Sequence, residues 1–231
     1  MQLKELKEIY NCLLESFGPQ GWWPSSGSFT PPEWEVCVGA ILTQNTSWKN
    51  VEKALDNMKA GGMTGIKHLL ESGIGDIEQA VRPSGFYRQK AERLKAFAGF
   101  VNGFGNFKTF SREATREQLL GVNGIGPETA DSILLYALNR PSFVIDAYTK
   151  RVFTRMGYKV TDRKMKFGRL APERPKEDYE LWKWLFESGL PKDAGMYGEF
   201  HALIVKLAKR HCRKIPVCVG CPLEKRCGKV I

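Results

Sequence analysis

The chain lacks the unbroken apolar core behind a basic start that a secretory signal requires, since Met1-Gln2-Leu3-Lys4-Glu5-Leu6-Lys7-Glu8 alternates charge with leucine. A cytoplasmic, nucleoid-associated protein is the expectation. Runs alternating apolar with polar β-branched residues are missing too, which argues against strands, and no internal repeat or low-complexity tract is present. Acids are scarce relative to bases. With 25 Asp plus Glu against 35 Lys plus Arg the net charge is +10, which favours a polyanionic partner, nucleic acid or an acidic membrane surface. An apolar content of 42% excludes disorder, collagen and a membrane protein, and 231 residues suffice for one large or two small domains. Cysteines are rare until the end, where four of the six cluster. In a reducing compartment such clustering points to a metal before disulfides.

What the chain does have is helical spacing almost throughout, and the fold class is all-α with on the order of ten helices. Leu3, Leu6, Tyr10, Leu13 and Leu14 mark one face of a first helix ending before Gly18-Pro19-Gln20-Gly21. Turn-formers fill Pro24 to Gly27. Thr30-Pro31-Pro32-Glu33 then predicts a helix start with Thr30 as the cap, Pro31 in the first position and Glu33 reaching back to the cap's amide. Trp34, Cys37, Val38, Ile41 and Leu42 supply its buried stripe. Arg82-Pro83-Ser84-Gly85-Phe86-Tyr87 is a turn leading into a helix whose exposed side carries Arg88, Lys90, Arg93 and Lys95, with Lys90 a candidate DNA contact. Ala130 to Leu138 form another core stripe, Met165 to Glu177 a surface loop, and Phe200 to Ala208 the last long helix. Cys12 and Cys37 read as small core residues.

Three constellations carry chemistry. The first is Cys212-x5-Cys218-x2-Cys221-x5-Cys227, whose even spacing suits one thiolate per iron of a 4Fe-4S cluster, with zinc the alternative because four cysteines are ambiguous between the two. Eight Lys or Arg and a single acid between Lys206 and Lys229 would turn that loop toward phosphate. The second is Leu119-Leu120-Gly121-Val122-Asn123-Gly124-Ile125-Gly126-Pro127-Glu128-Thr129-Ala130, where Gly124 and Gly126 flank Ile125 at the mouth of a helix. Its amides can hold a phosphate without reading bases. The third is Asp146 in Val144-Ile145-Asp146-Ala147-Tyr148-Thr149, which by its type and place before a helix reads as a cap.

Together with Leu42-Thr43-Gln44-Asn45-Thr46, these residues resemble the helix-hairpin-helix DNA glycosylases of the endonuclease III superfamily over almost the whole chain. The resemblance implies two helical lobes, 30–138 containing the hairpin and 1–29 plus 139–231 carrying the acid and the cysteine loop, with DNA in the cleft between them. It makes Asp146 the catalytic acid, Gln44 the wedge that fills the gap left by an extruded nucleotide, and Gly124, Ile125, Gly126 and Thr129 the hairpin contacts. Where the bifunctional branch has a lysine the chain has Glu128, which cannot form an imine, and where the adenine-mismatch branch has a glutamate it has Gly39. Trp22-Trp23-Pro24 and the Arg82 to Tyr87 turn are similar to the 3-methyladenine branch, which places Trp22, Trp23, Pro24 and Trp48 around the base and Lys209 at the pocket's border.

The expectation is therefore a monofunctional glycosylase for alkylated purines. Alternatives are a uracil or other deaminated-base glycosylase, an endonuclease III-like glycosylase/lyase, and a non-catalytic DNA-binding module. The expected partner is double-stranded DNA containing a damaged base, bound by a monomer with no membrane involved.

Overall fold

The computed structural model describes residues 3–158 and 178–230. The loop expected from Met165 to Glu177 lies outside them. Among the described residues there are twelve α-helices and no strand, and no helix is long and apolar enough to cross a membrane. The all-helical expectation is met. The chain divides into one unit of Met1–Trp22 with Pro141–Ile231 and another of Trp23–Arg140.

Helix α1 (Leu3–Phe17) opens the first unit and buries Leu6 and Leu13 of the predicted face together with Ile9, while Tyr10 and Leu14 are half-buried. The second unit follows, with α2 (Pro32–Leu42), α3 (Trp48–Ala60), α4 (Ile66–Glu71), α5 (Ile74–Val81), a 3-10 turn Arg82–Ser84, and α6 (Tyr87–Asn102). Then come α7 (Phe107–Glu113), α8 (Arg116–Leu120) and α9 (Pro127–Ser132), the last running into a wider π turn at Ile133–Ala137. Trp34 of α2 stacks nearly parallel on Phe97 of α6 with centroids 5.6 Å apart, and Phe97 meets Phe110 of α7 edge-on at 6.0 Å. Each such fully buried side chain contributes roughly 1.5–3 kcal/mol.

Local signals set the shorter helices. Asn106 caps α7 by accepting from the Thr109 amide, and Thr115 and Gln118 form a reciprocal capping box on α8. The start of α2 departs from expectation. Its cap is Pro31, held extended at ψ 166° by the proline that follows, so the helix begins only at Pro32 and no side chain caps it. Thr30 instead donates its amide to Thr64 O at 3.0 Å, and a buried carboxylate two positions beyond Glu33 does the ordering: Glu35 accepts from the amides of Ser26 and Ser28.

The first unit resumes with α10 (Ala147–Arg155), α11 (Asp178–Gly189) and α12 (Ala194–Arg210). Its core is also aromatic, with Phe143 stacked on Phe186 at 4.2 Å and Phe153 and Phe200 edge-on around them. Gly189 of α11 lets α1 come close, since a Cβ there would stand 2.6 Å from Leu6 Cδ1. The extended stretch entering α10 is pinned by α11. Phe143 N donates to Glu187 at 2.8 Å, Ile145 N to the Tyr179 hydroxyl at 3.3 Å, and Lys183 bridges Ser142 and Glu187. Asp146 is thus delivered by a segment tied to α11 at Ser142, Phe143 and Ile145.

Candidate active site

In the first unit Asp146 is the N-cap of α10, its Oδ1 accepting from the Thr149 amide at 2.7 Å. The two readings of this residue are compatible, because capping uses one oxygen. The other, Oδ2, lies 3.5 Å from His201 Nε2, and His201 meets Trp22 edge-on with centroids 5.6 Å apart. Burial pushes the carboxyl up, but His201 and the Thr149 amide outweigh it and hold the acid below the usual aspartate range. It is an anion at neutral pH. Lys209 is exposed on the last turn of α12, its Nζ 6.0 Å from the centre of the Tyr148 ring, which also carries Arg151 at 5.0 Å.

In the second unit Trp23 packs edge-on against Trp48 at 5.4 Å and tilts onto Tyr136 at 5.1 Å. Gly39 is their floor. A Cβ on Gly39 would stand 3.3 Å from Trp23 Nε1, close enough to press that indole by a few tenths of an ångström, and 3.5 Å from Trp48 Cη2, in ordinary contact. Pro24 is exposed. The residues proposed to surround the base thus fall in two units, Trp22 in one and Trp23, Pro24 and Trp48 in the other.

The hairpin joins α8 to α9. Gly124 adopts φ +82°, which favours glycine, and Gly126 is the N-cap of α9. Ile125 is buried, so only its backbone can meet a ligand, and Thr129 is buried with its hydroxyl accepting from Gln44 at 3.0 Å. Gln44 sits just past α2 and also donates to Gly124 O at 3.0 Å, while its carbonyl accepts from Arg93 at 2.5 Å. Gln44, Arg93, Gly124 and Thr129 therefore form one bonded set. Glu128 lies exposed in the first turn of α9.

Lys90 requires a correction. It is 1% exposed, and its ammonium donates to Leu42 O at 2.8 Å and Ser84 O at 2.6 Å, so it cannot contact DNA. The carbonyl at the end of α2 lacks an intrahelical partner, and the lysine supplies one. Sequence reasoning missed Arg93 as a hairpin partner, together with Tyr136 and His201. Their neighbours are 49 or more positions away, except that Arg93 is 31 from Gly124, and no local pattern reports such pairs.

Cys212, Cys218, Cys221 and Cys227 line one hollow with Arg155, His211 and Val217. The loop is well tied. Arg151 Nε donates to Cys212 O at 2.8 Å, Arg155 donates to Arg213 O and Lys214 O, Val217 N donates to His211 O at 2.8 Å, and Leu223 is buried. Burial pushes the Cys221 thiol up, and the charges of Cys227, Cys212 and Cys218 push it further, a repulsion that a bound cation would relieve. The donor set fits a thiolate-bound metal group. Cys37 is buried, but Cys12 is half-buried and its thiol donates to Pro222 O at 3.4 Å, against this same loop.

Residues 38–173 match the family model described as HhH-GPD superfamily base excision DNA repair protein. The chain belongs to the HhH-GPD superfamily. A Methanocaldococcus jannaschii protein carrying the name putative DNA repair glycosylase is 44% identical over 95% of this chain and 94% of its own length. An endonuclease III from Thermotoga maritima is 28% identical over 89% of this chain and 86% of its own. Among solved structures, the H. pylori 3-methyladenine DNA glycosylase bound to 1,N6-ethenoadenine is 31% identical with a TM-score of 0.71, covering 90% of this chain and 95% of that one. Within the superfamily the helix-hairpin-helix is the element from α8 to α9.

Proposed function

We propose that this HhH-GPD protein is a monofunctional DNA glycosylase that hydrolyses the bond between deoxyribose and an alkylated purine of the 3-methyladenine type. The observation that carries this reading is the packing of Trp23 against both Trp48 and Tyr136, with Gly39 beside the two indoles. A purine nucleotide methylated at N3 or N7 is cationic, and aromatic faces hold such a ring by stacking and cation–π attraction worth roughly 0.5–2 kcal/mol, which neutral adenine gains less of. The named relative whose structure holds ethenoadenine supports the same substrate class.

Chemistry on a base requires that it leave the stack, at a few kcal/mol that damage lowers. The hairpin amides and the basic residues of the cysteine loop would grip phosphates without regard to sequence, leaving selection to the aromatic residues. As the glycosidic bond breaks, positive charge grows on the sugar, and the ionised Asp146 stabilises it and orients the attacking water. Glu128 offers no amine, so base release would stop at an abasic site. Cys212, Cys218, Cys221 and Cys227 would hold a 4Fe-4S cluster, which staples a segment too short to build its own core. What supports the cluster is that all four cysteines line one hollow and supply one thiolate for each iron.

The test offers matched duplexes bearing methylated purines, uracil, hypoxanthine or adenine opposite oxidised guanine and identifies the base set loose. Methylated purines should be released by the wild type and not by Asp146→Asn, with DNA affinity nearly unchanged, and strands should break only after alkali. Release of uracil instead would move the substrate to deaminated bases. Scission without alkali, or borohydride trapping of protein on DNA, would establish a lyase, and no release at all would reduce the protein to a DNA-binding module.

A further inference from the structure

The Asp146 carboxylate is approached at both oxygens, by the Thr149 amide at Oδ1 and by His201 at Oδ2. His201 belongs to the middle of α12, where Phe200, Leu203, Ile204 and Leu207 make an apolar face, and its side chain is 6% exposed. Packing alone does not call for an imidazole at that depth, where an aliphatic side chain would fill the space without desolvating two ring nitrogens. Trp22 rests on the same ring, and all three residues lie in one unit.

We propose that His201 is the positioning residue of Asp146, fixing the plane of the carboxylate through Oδ2 and linking it to the edge of Trp22. A cap hydrogen bond at one oxygen leaves the carboxylate able to swing about it, and an imidazole facing the other oxygen at 3.5 Å restricts that freedom. The remaining lone pairs are then held in one direction. The 3.5 Å separation is at the outer edge of hydrogen bonding, and such contacts in unliganded enzymes shorten once substrate is bound. Because Trp22 touches the ring, a ligand that shifts this indole shifts the imidazole, and the acid with it. The inference rests on the glycosylase reading, in which Asp146 is the working acid.

The test compares His201→Leu with His201→Gln on duplex DNA treated with a methylating agent, under single turnover. Leucine keeps the packing against Trp22 and removes the donor, whereas glutamine places an N–H near the position of Nε2. The expected result is an excision rate about 10- to 100-fold lower for leucine and recovery to within about 5-fold for glutamine, with DNA affinity and Tm nearly unchanged. Equal rates for wild type and leucine, or no recovery with glutamine, overturn the proposal while leaving the glycosylase reading intact. If the wild type itself releases no methylated base, that reading falls and the proposal with it. A second measurement needs no turnover: the chain has three histidines, and the ring signal that vanishes in His201→Gln should move in Asp146→Asn. A signal that stays put overturns the proposal.

Discussion

Replacing Lys90 by methionine separates a structural role from a DNA-binding one. The stem keeps its length, but Leu42 O and Ser84 O lose a charged donor in a site that is 1% exposed. Hydrogen bonds to charged groups contribute about 1.5–3 kcal/mol each, and removing a buried charge recovers part of that, so the net loss should be about 2 to 4 kcal/mol. For a chain of this size each kcal/mol moves Tm by roughly 2–4 °C, giving a fall of roughly 4–16 °C. The loss should also depend on pH. Burial, with Arg93 adding to it, lowers the pKa of Lys90 from an ordinary 10.5 to about 8. Between those values the unfolded chain keeps a proton that the folded chain sheds, so stability rises with pH. This contribution is fully present above 10.5 and is lost as pH falls through about 8. At 1.36 kcal/mol per pKa unit its ceiling is about 3 kcal/mol, and the methionine variant lacks it, so the gap between the two proteins should widen from pH 7 to pH 10. Thermal unfolding across that range measures this. DNA binding titrated against salt gives the complementary test, since loss of one phosphate contact reduces the salt slope by about 0.9. A methionine variant as stable as the wild type, or one with a reduced slope, would refute the buried role.

Two further perturbations address the hairpin and the cysteine loop. Gly124→Ala should destabilise the protein by about 1–3 kcal/mol, because φ +82° disfavours a side chain and its Cβ would stand 2.4 Å from the side chain of Arg93. Displacing Arg93 releases Gln44, so affinity for undamaged duplexes should fall evenly across sequences, and a sequence-dependent loss would contradict a backbone contact. The purified protein should be brown, with absorbance in the visible blue that Cys221→Ser abolishes along with much of the thermal stability. A colourless wild type with one bound zinc per chain would replace the cluster by a single ion.

The core of the fold was legible wherever local spacing decides burial. Leu6 and Leu13 recur on the marked face of α1, and the period that marks them on paper is the period that buries them, with Ile9 joining them. The hairpin was legible for a related reason, because glycine at position 124 announces a backbone turn that other residues resist. Thr30 misled because a cap signal assumes that the chain after it can turn at once, and two successive prolines delay the turn by a residue. Lys90 misled because a charged residue in a helical pattern reads as solvated, yet a helix C-terminus with unbonded carbonyls can draw an ammonium inside.

Asp146 shows where reading from sequence stops. The residue signals a cap by its type and its place before α10, and it is one. What distinguishes a cap from a working acid is the second oxygen, and its neighbour arrives from α12, fifty-five positions along the chain. The same holds for Gly39, whose missing side chain has meaning only because Trp23 and Trp48 come to rest there. In both cases chemistry depends on a vacancy or a lone pair that one element leaves and a distant element uses. A helix repeat is a short-range correlation and cannot encode such a pair. Substitutions that disturb only the partner, His201 for the acid or Trp48 for the glycine, therefore reveal function that substitutions judged from local pattern would overlook.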